Sequence, residues 1–249
     1  AGVAVTTGIY NTLVGGLAGD ALTIGNQNVA VGMLALSTSV DGDNNTAIGF
    51  QALKDYEDGD GNGNNTAVGA NSQLLASTGE FNTSLGSLAM GSGVTTGDVN
   101  TALGYQAGKA LTSGASNVFV GGHAGDAITS GGRNIAMGYA ALSTEDAHGR
   151  NTAIGHQALT TQNAGADAYN VAVGYDAGVL VTTGIKNTLL GGLAGDSLTT
   201  GSTNVAIGYD ALSTEDTGTA SVAIGAFALK LQNYNGNAYN VAIGHDAGK

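Results

Sequence analysis

Asn45-Thr46-Ala47-Ile48-Gly49-Phe50-Gln51-Ala52-Leu53 is one copy of a nine-residue phrase that returns, slightly altered, along the whole chain. It reads NTALGYQAG at 100–108, NTAIGHQAL at 151–159 and NVAIGYDAL at 204–212. With the Asn as position zero, the fourteen copies begin at Asn11, Asn28, Asn45, Asn65, Asn82, Asn100, Asn117, Asn134, Asn151, Asn170, Asn187, Asn204, Ser221 and Asn240. Most intervals are 17 residues and the rest 18 to 20. The extra residues always fall between copies, as insertions do in the loops of a stacked scaffold.

Each position has its own chemistry. Position one is Thr, Val or Ile, position two is Ala in most copies, and position three is always Val, Ile, Leu or Met. Position four is Gly in every copy, and position seven is Ala except at Ser72. Branched residues around a small one read as a short strand. Positions one and three then share one face, leaving an Ala/Gly face on the other side where a second backbone can approach closely. A helical repeat is excluded, because the segments between copies are rich in Gly, Thr, Asn and Asp and seventeen residues cannot hold a helix pair. The expected fold is all-β: a parallel β-solenoid, or β-roll, of about fourteen 17–20-residue coils, forming one repeat domain over residues 1–249. Fourteen coils at ~4.8 Å would span roughly 65–70 Å.

Two coil types appear. In one, position eight is Gly and position eleven apolar, as in Gly19/Leu22, Gly108/Leu111, Gly125/Ile128, Gly178/Val181 and Gly195/Leu198. In the other, position eight is Leu and position eleven usually polar, as in Leu36/Ser39, Leu142/Glu145, Leu159/Gln162, Leu212/Glu215 and Leu229/Gln232. Each coil thus supplies a second large apolar group, from one of two places, to the same interior volume. The Asn65 coil, with Gln73-Leu74-Leu75, fits neither type. Residues 121–146 (GGHAGDAITSGGRNIAMGYAALSTED) closely match residues 191–216 (GGLAGDSLTTGSTNVAIGYDALSTED), a pattern of internal duplication. The start, AGVAVTTG, matches residues 177–184, and the finish, DAGK, falls at the equivalent phase; this reads as a segment of a longer fibre or a unit that stacks head to tail.

Composition narrows the function. The 249 residues include 43 Gly and no Pro, Cys or Trp. Collagen, which needs Pro, and disulfide or thiolate metal sites are excluded. Hydrophobic residues at 42% argue against disorder, and no apolar run is long enough for a membrane helix. A formal charge of −12 argues against a nucleic-acid partner.

No catalytic constellation stands out. His123, His148, His156 and His245 read as surface or rim residues, the last two five coils apart. The recurring Asn reads as a structural ladder, stacked amides bonding from coil to coil. Asp58, Asp60 and Asn62 resemble the start of an oxygen-ligand calcium loop, but Gly69 stands where that loop needs Glu. Tyr56, Tyr169, Tyr234 and Tyr239, in or beside insertions, could stack on sugars of a host surface. Thr at many first positions raises an ice-binding array, which the Val residues interleaved there (Val29, Val118) interrupt.

The NTAIGFQAL, NTALGYQAG, NTAIGHQAL and NVAIGYDAL phrases resemble repeats of phage tail-fibre proteins and, more loosely, the N-S-x-A-I-G repeats of trimeric autotransporter adhesin heads. The resemblance covers essentially the whole chain. It implies a left-handed parallel β-roll, three chains about one axis, and a non-enzymatic shaft or adhesin role in an extracellular or virion-surface fibre contacting a host. The alternative is a self-stacking extracellular filament subunit.

Overall fold

The computed structural model describes residues 1–56 and 62–249. They form two compact units, residues 1–130 and 131–249. Each unit is a parallel β-solenoid whose regular elements are three-residue strands. The first carries β1 (Thr12–Val14), β2 (Val29–Val31), β3 (Thr46–Ile48), β4 (Thr66–Val68), β5 (Thr83–Leu85), β6 (Thr101–Leu103) and β7 (Val118–Val120). The second carries β8 (Ile135–Met137), β9 (Thr152–Ile154), β10 (Val171–Val173), β11 (Thr188–Leu190), β12 (Val205–Ile207), β13 (Val222–Ile224) and β14 (Val241–Ile243). Within each unit the strands stack in chain order, one per repeat. The register sets like on like: Thr12 pairs with Val29, Leu13 with Ala30 and Val14 with Val31, and the 20-residue coil still sets Ile48 beside Val68.

The strands are short because the backbone turns sharply at both ends. The residue before each Asn lies in the left-handed region, as at Asn44 (φ 59°) and Val99 (φ 60°). The Gly at position four follows the strand with φ near 130–148°, a conformation closed to other residues. Space closes it too: a Cβ on Gly49 would stand 2.5 Å from the Gly69 carbonyl oxygen of the next coil. Positions six and eight are also left-handed, even where they carry Leu34 (φ 61°) and Leu36 (φ 49°). Between the strands, backbone hydrogen bonds still run from coil to coil, as when Leu34 N donates to Gly16 O and Leu36 N to Ala52 O.

The interior is narrow, and that decides which strand face turns inward. Position two is buried, with Ala30, Ala47, Ala102 and Ala153 fully shielded, as are the position-seven alanines Ala35 and Ala52. The larger residues at positions one and three point outward instead. Both second-group positions are interior, as at Leu22, Leu111 and Ile128 or Leu36, Leu53 and Leu142. A large residue replaces Ala at position two only at Leu13, Phe119 and Leu189, whose own coils have Gly at position eight. Phe119 lies between Gly108 and Gly125, where an added Cβ would stand 2.6 and 2.5 Å from its ring. Volume removed at position eight is thus refilled from position two, as close packing demands.

The Asn65 coil differs for a reason the sequence alone left open. Gln73 takes the position-eight place and is fully buried. Its Nε2 donates to Ser84 Oγ at 2.9 Å and Thr66 O at 3.1 Å, while Ser84 and Ser72 share a 2.5 Å hydroxyl–hydroxyl bond. A small polar network replaces a leucine.

Candidate functional site

The candidate surface is the outward face of the strand column in each unit. Positions one and three present two parallel rows of Thr, Val, Ile and Leu at strand spacing. Val14 and Leu85 are each 55% exposed and Ile48 39%. The position-three row is aliphatic or Met in every copy, and monomeric surfaces rarely carry so continuous an apolar row, which marks an interaction site.

Behind this face runs the Asn column: Asn11, Asn28, Asn45, Asn65, Asn82, Asn100 and Asn117 in the first unit, and Asn134, Asn151, Asn170, Asn187, Asn204 and Asn240 in the second. From Asn28 to Asn204 all are buried. Within each unit, from Asn11 to Asn100 and from Asn134 to Asn204, each Oδ1 accepts the backbone N–H of the next residue in the column. Asn45 N donates to Asn28 Oδ1 at 2.9 Å, Asn82 N to Asn65 Oδ1 at 2.9 Å, and Asn187 N to Asn170 Oδ1 at 2.8 Å. Each Nδ2 mostly donates to a carbonyl that closes the coil, as from Asn28 to Gly42 O and from Asn204 to Gly218 O. The bonding is chiefly side chain to backbone. Asn45 Nδ2 and Asn151 Nδ2, in coils of 20 and 19 residues, are buried without a partner. Ser221 N still donates to Asn204 Oδ1, and its own hydroxyl accepts from Gln232 Nε2.

A second surface row comes from position five, which the sequence reading did not single out. In the second unit His156 stacks between Tyr139 and Tyr175, with centroids 5.5 and 5.2 Å away. Further along, Tyr209, Phe227 and His245 meet edge to face at 5.6 Å steps. In the first unit Tyr105 meets His123 edge on at 5.4 Å. The signal was present in the sequence as Tyr, His or Phe at position five or six of successive copies. His156 and His245 stand in this row, while His148 lies in a turn beside Glu145. His123 Nδ1 lies 3.0 Å from Asp126 Oδ2.

Of the tyrosines considered for sugar contact, Tyr56 is fully buried with its hydroxyl donating to Asn62 O, so it cannot offer a face. Tyr169, Tyr234 and Tyr239 are exposed. Tyr169 receives a hydrogen bond from Arg150, which also ion-pairs with Asp167. For the calcium reading, Asp58 and Asp60 lie outside the described residues, and the Asn62 carbonyl accepts from Asp43 N as well.

Charged groups beside the aromatic row are coupled. Burial pushes the Asp196 carboxyl above the usual range, and the Asp210 charge adds to that. Burial also opposes Asp210, but the Lys230 ammonium and the Ser213 hydroxyl outweigh it and hold that carboxyl low. Among the described residues no helix is long and apolar enough to cross a membrane. In comparison with known proteins, no protein-family model and no curated protein matches the chain.

Proposed function

We propose that the chain is a non-enzymatic structural segment, shaft or adhesin, of an extracellular fibre of the phage tail-fibre type, assembled as a homotrimer of left-handed coils. The exposed aliphatic rows on the strand faces carry this reading. A parallel arrangement of three copies would turn equivalent rows toward a common axis, each half-exposed Val, Ile or Leu gaining about 1 kcal/mol on burial. Interior Ala leaves each coil thin, so association supplies the apolar core that one coil lacks. The charge of −12 would keep assembled fibres apart in solution. The insertions and the aromatic row would face outward, where a host glycan could meet them.

Mass photometry tests this on the purified chain. The expected species is roughly 73 kDa, three times the 24.3 kDa chain. Ile48→Glu with Leu85→Glu should return it to a folded monomer by placing charge on the shared axis. A ladder of lengths would favour the self-stacking filament, and a wild-type monomer overturns both. A second reading rests on the first unit alone, where Thr12, Thr46, Thr66, Thr83 and Thr101 stand beside aliphatic residues in the outward rows, an array of hydroxyls and methyls suited to ice. Thermal hysteresis of the purified chain would reveal it; none removes the reading.

A further inference from the structure

The two STED turns of the second unit are twins in sequence, residues 143–146 and 213–216, yet their buried glutamates stand differently. Glu215 is fully buried and fully occupied. Its carboxylate accepts Gly218 N at 2.9 Å, Gln232 Nε2 at 2.7 Å and Tyr234 N at 3.1 Å. It can do so because residue 218 has no side chain: a Cβ there would stand 2.4 Å from the carboxyl carbon. The other turn has His148 at the corresponding place. Its Cβ bars the position Glu215 takes. Glu145 is equally buried and is met by the backbone N–H groups of His148, 3.2 Å from Oε1, and of Ala164, but Oε2 has no hydrogen-bond partner. The His148 Nδ1 is a second buried atom without one, 3.7 Å from Glu145 Oε1. An oxygen of the exposed Asp146 completes a set whose ligand atoms all lie within 4.8 Å of one another.

We propose that Glu145, Asp146 and His148 form a binding site for a zinc-class divalent cation, with water as the fourth ligand. The donor set decides the class. An imidazole nitrogen with two carboxylates suits Zn²⁺ and its neighbours, whereas Ca²⁺ and Mg²⁺ take all-oxygen shells. The charges balance, since two carboxylates and a neutral imidazole cancel the cation. Tetrahedral bonds of about 2.0 Å set donors about 3.3 Å apart, so the set must contract. Asp146, at the exposed edge of the turn, and the His148 ring can make that movement.

Calorimetric titration of the metal-stripped full chain with zinc chloride tests the site, with calcium chloride as comparison. One Zn²⁺ should bind per chain, at least about tenfold more tightly than Ca²⁺. His148→Gly copies the twin turn, so it should fold as wild type while weakening zinc at least about tenfold; Glu145→Gln should do the same. Glu215→Gln and His156→Ala should leave zinc affinity unchanged. Absence of one-to-one zinc binding overturns the proposal, as does wild-type affinity in His148→Gly.

Discussion

Two stretches of the first unit, residues 100–128 and 65–84, fill the coil interior by opposite means. In one, Phe119 crosses the interior between two glycines, and no polar atom is needed. In the other, Gln73, Ser72 and Ser84 bond to one another, with Gln73 Oε1 left without a partner. Both keep the strand register: Thr83 pairs with Thr101 as Thr101 pairs with Val118. The backbone frame therefore tolerates either filling, provided the volume is right. Because each coil contacts only its neighbours, the energetic consequences should stay local.

The largest effect should come from emptying the apolar stretch. Phe119→Ala removes a fully buried ring from between Gly108 and Gly125, and should cost about 3–5 kcal/mol in denaturant unfolding. Adding Gly125→Leu copies the Ala47/Leu53 coil and should recover part of that loss. A double variant no better than Phe119→Ala would break the equivalence of the two fillings.

The polar stretch should respond more mildly, and in two directions. Ser84→Ala takes a partner from both Gln73 and Ser72 and should cost about 1–2 kcal/mol. Combining it with Gln73→Leu copies the Leu36/Ala47 chemistry, removes the orphaned oxygen and should bring stability back to the wild-type value or above it. If the pair is worse than Ser84→Ala alone, the network contributes more than the leucine it replaces.

This contrast also explains how far the sequence could be read. The coil period, the parallel register and both second-group positions followed from the spacing of Asn, Gly and Leu, because columns of like residues repeat visibly. The sense of the strand faces did not follow. Alternation shows that Thr46 and Ile48 share a side, yet the narrowness of the interior, which turns them outward, depends on how closely the opposite wall approaches. The Gln73 network escaped because Ser84 comes from the next copy and looks like an ordinary replacement of Ala. The His148 site escaped likewise, since its meaning lies in the Gly218 it differs from. Position five held a readable aromatic signal that its Gly, Ala and Ser members masked.

The same two stretches also differ at their entries. Asn64 leads into the polar coil at φ 58° and Val99 into the apolar one at φ 60°. Asn accepts the left-handed region with its short polar side chain, while a β-branched residue there is strained by about 1–2 kcal/mol. Val99 is 57% exposed, so little packing is at stake. Val99→Asn should therefore stabilise the chain by about 1 kcal/mol, a rise of roughly 2–4 °C in Tm. A fall would show that the Val99 side chain contributes more packing than its exposure indicates.

The smallest effect belongs to the sequence counterpart of the Phe119 coil, in which Leu189 takes the ring's place and Asp196 follows on the rim. The Asp196 carboxyl is raised by burial first and then by the Asp210 charge, and its Oδ1 is buried without a partner. The folded state therefore holds this proton more tightly than the unfolded chain does. Its contribution is fully present below the ordinary carboxylate range and is lost as pH rises through the elevated folded value. Asp210 opposes that trend. Its depressed carboxyl adds stability above the ordinary range that is lost as pH falls through its folded value. Asp196→Asn should remove the first component alone, so the variant should gain on wild type as the solution passes from acid to neutral pH. Urea midpoints at several pH values would read this directly, and a difference that does not change with pH would mean that Asp196 is as well solvated folded as unfolded.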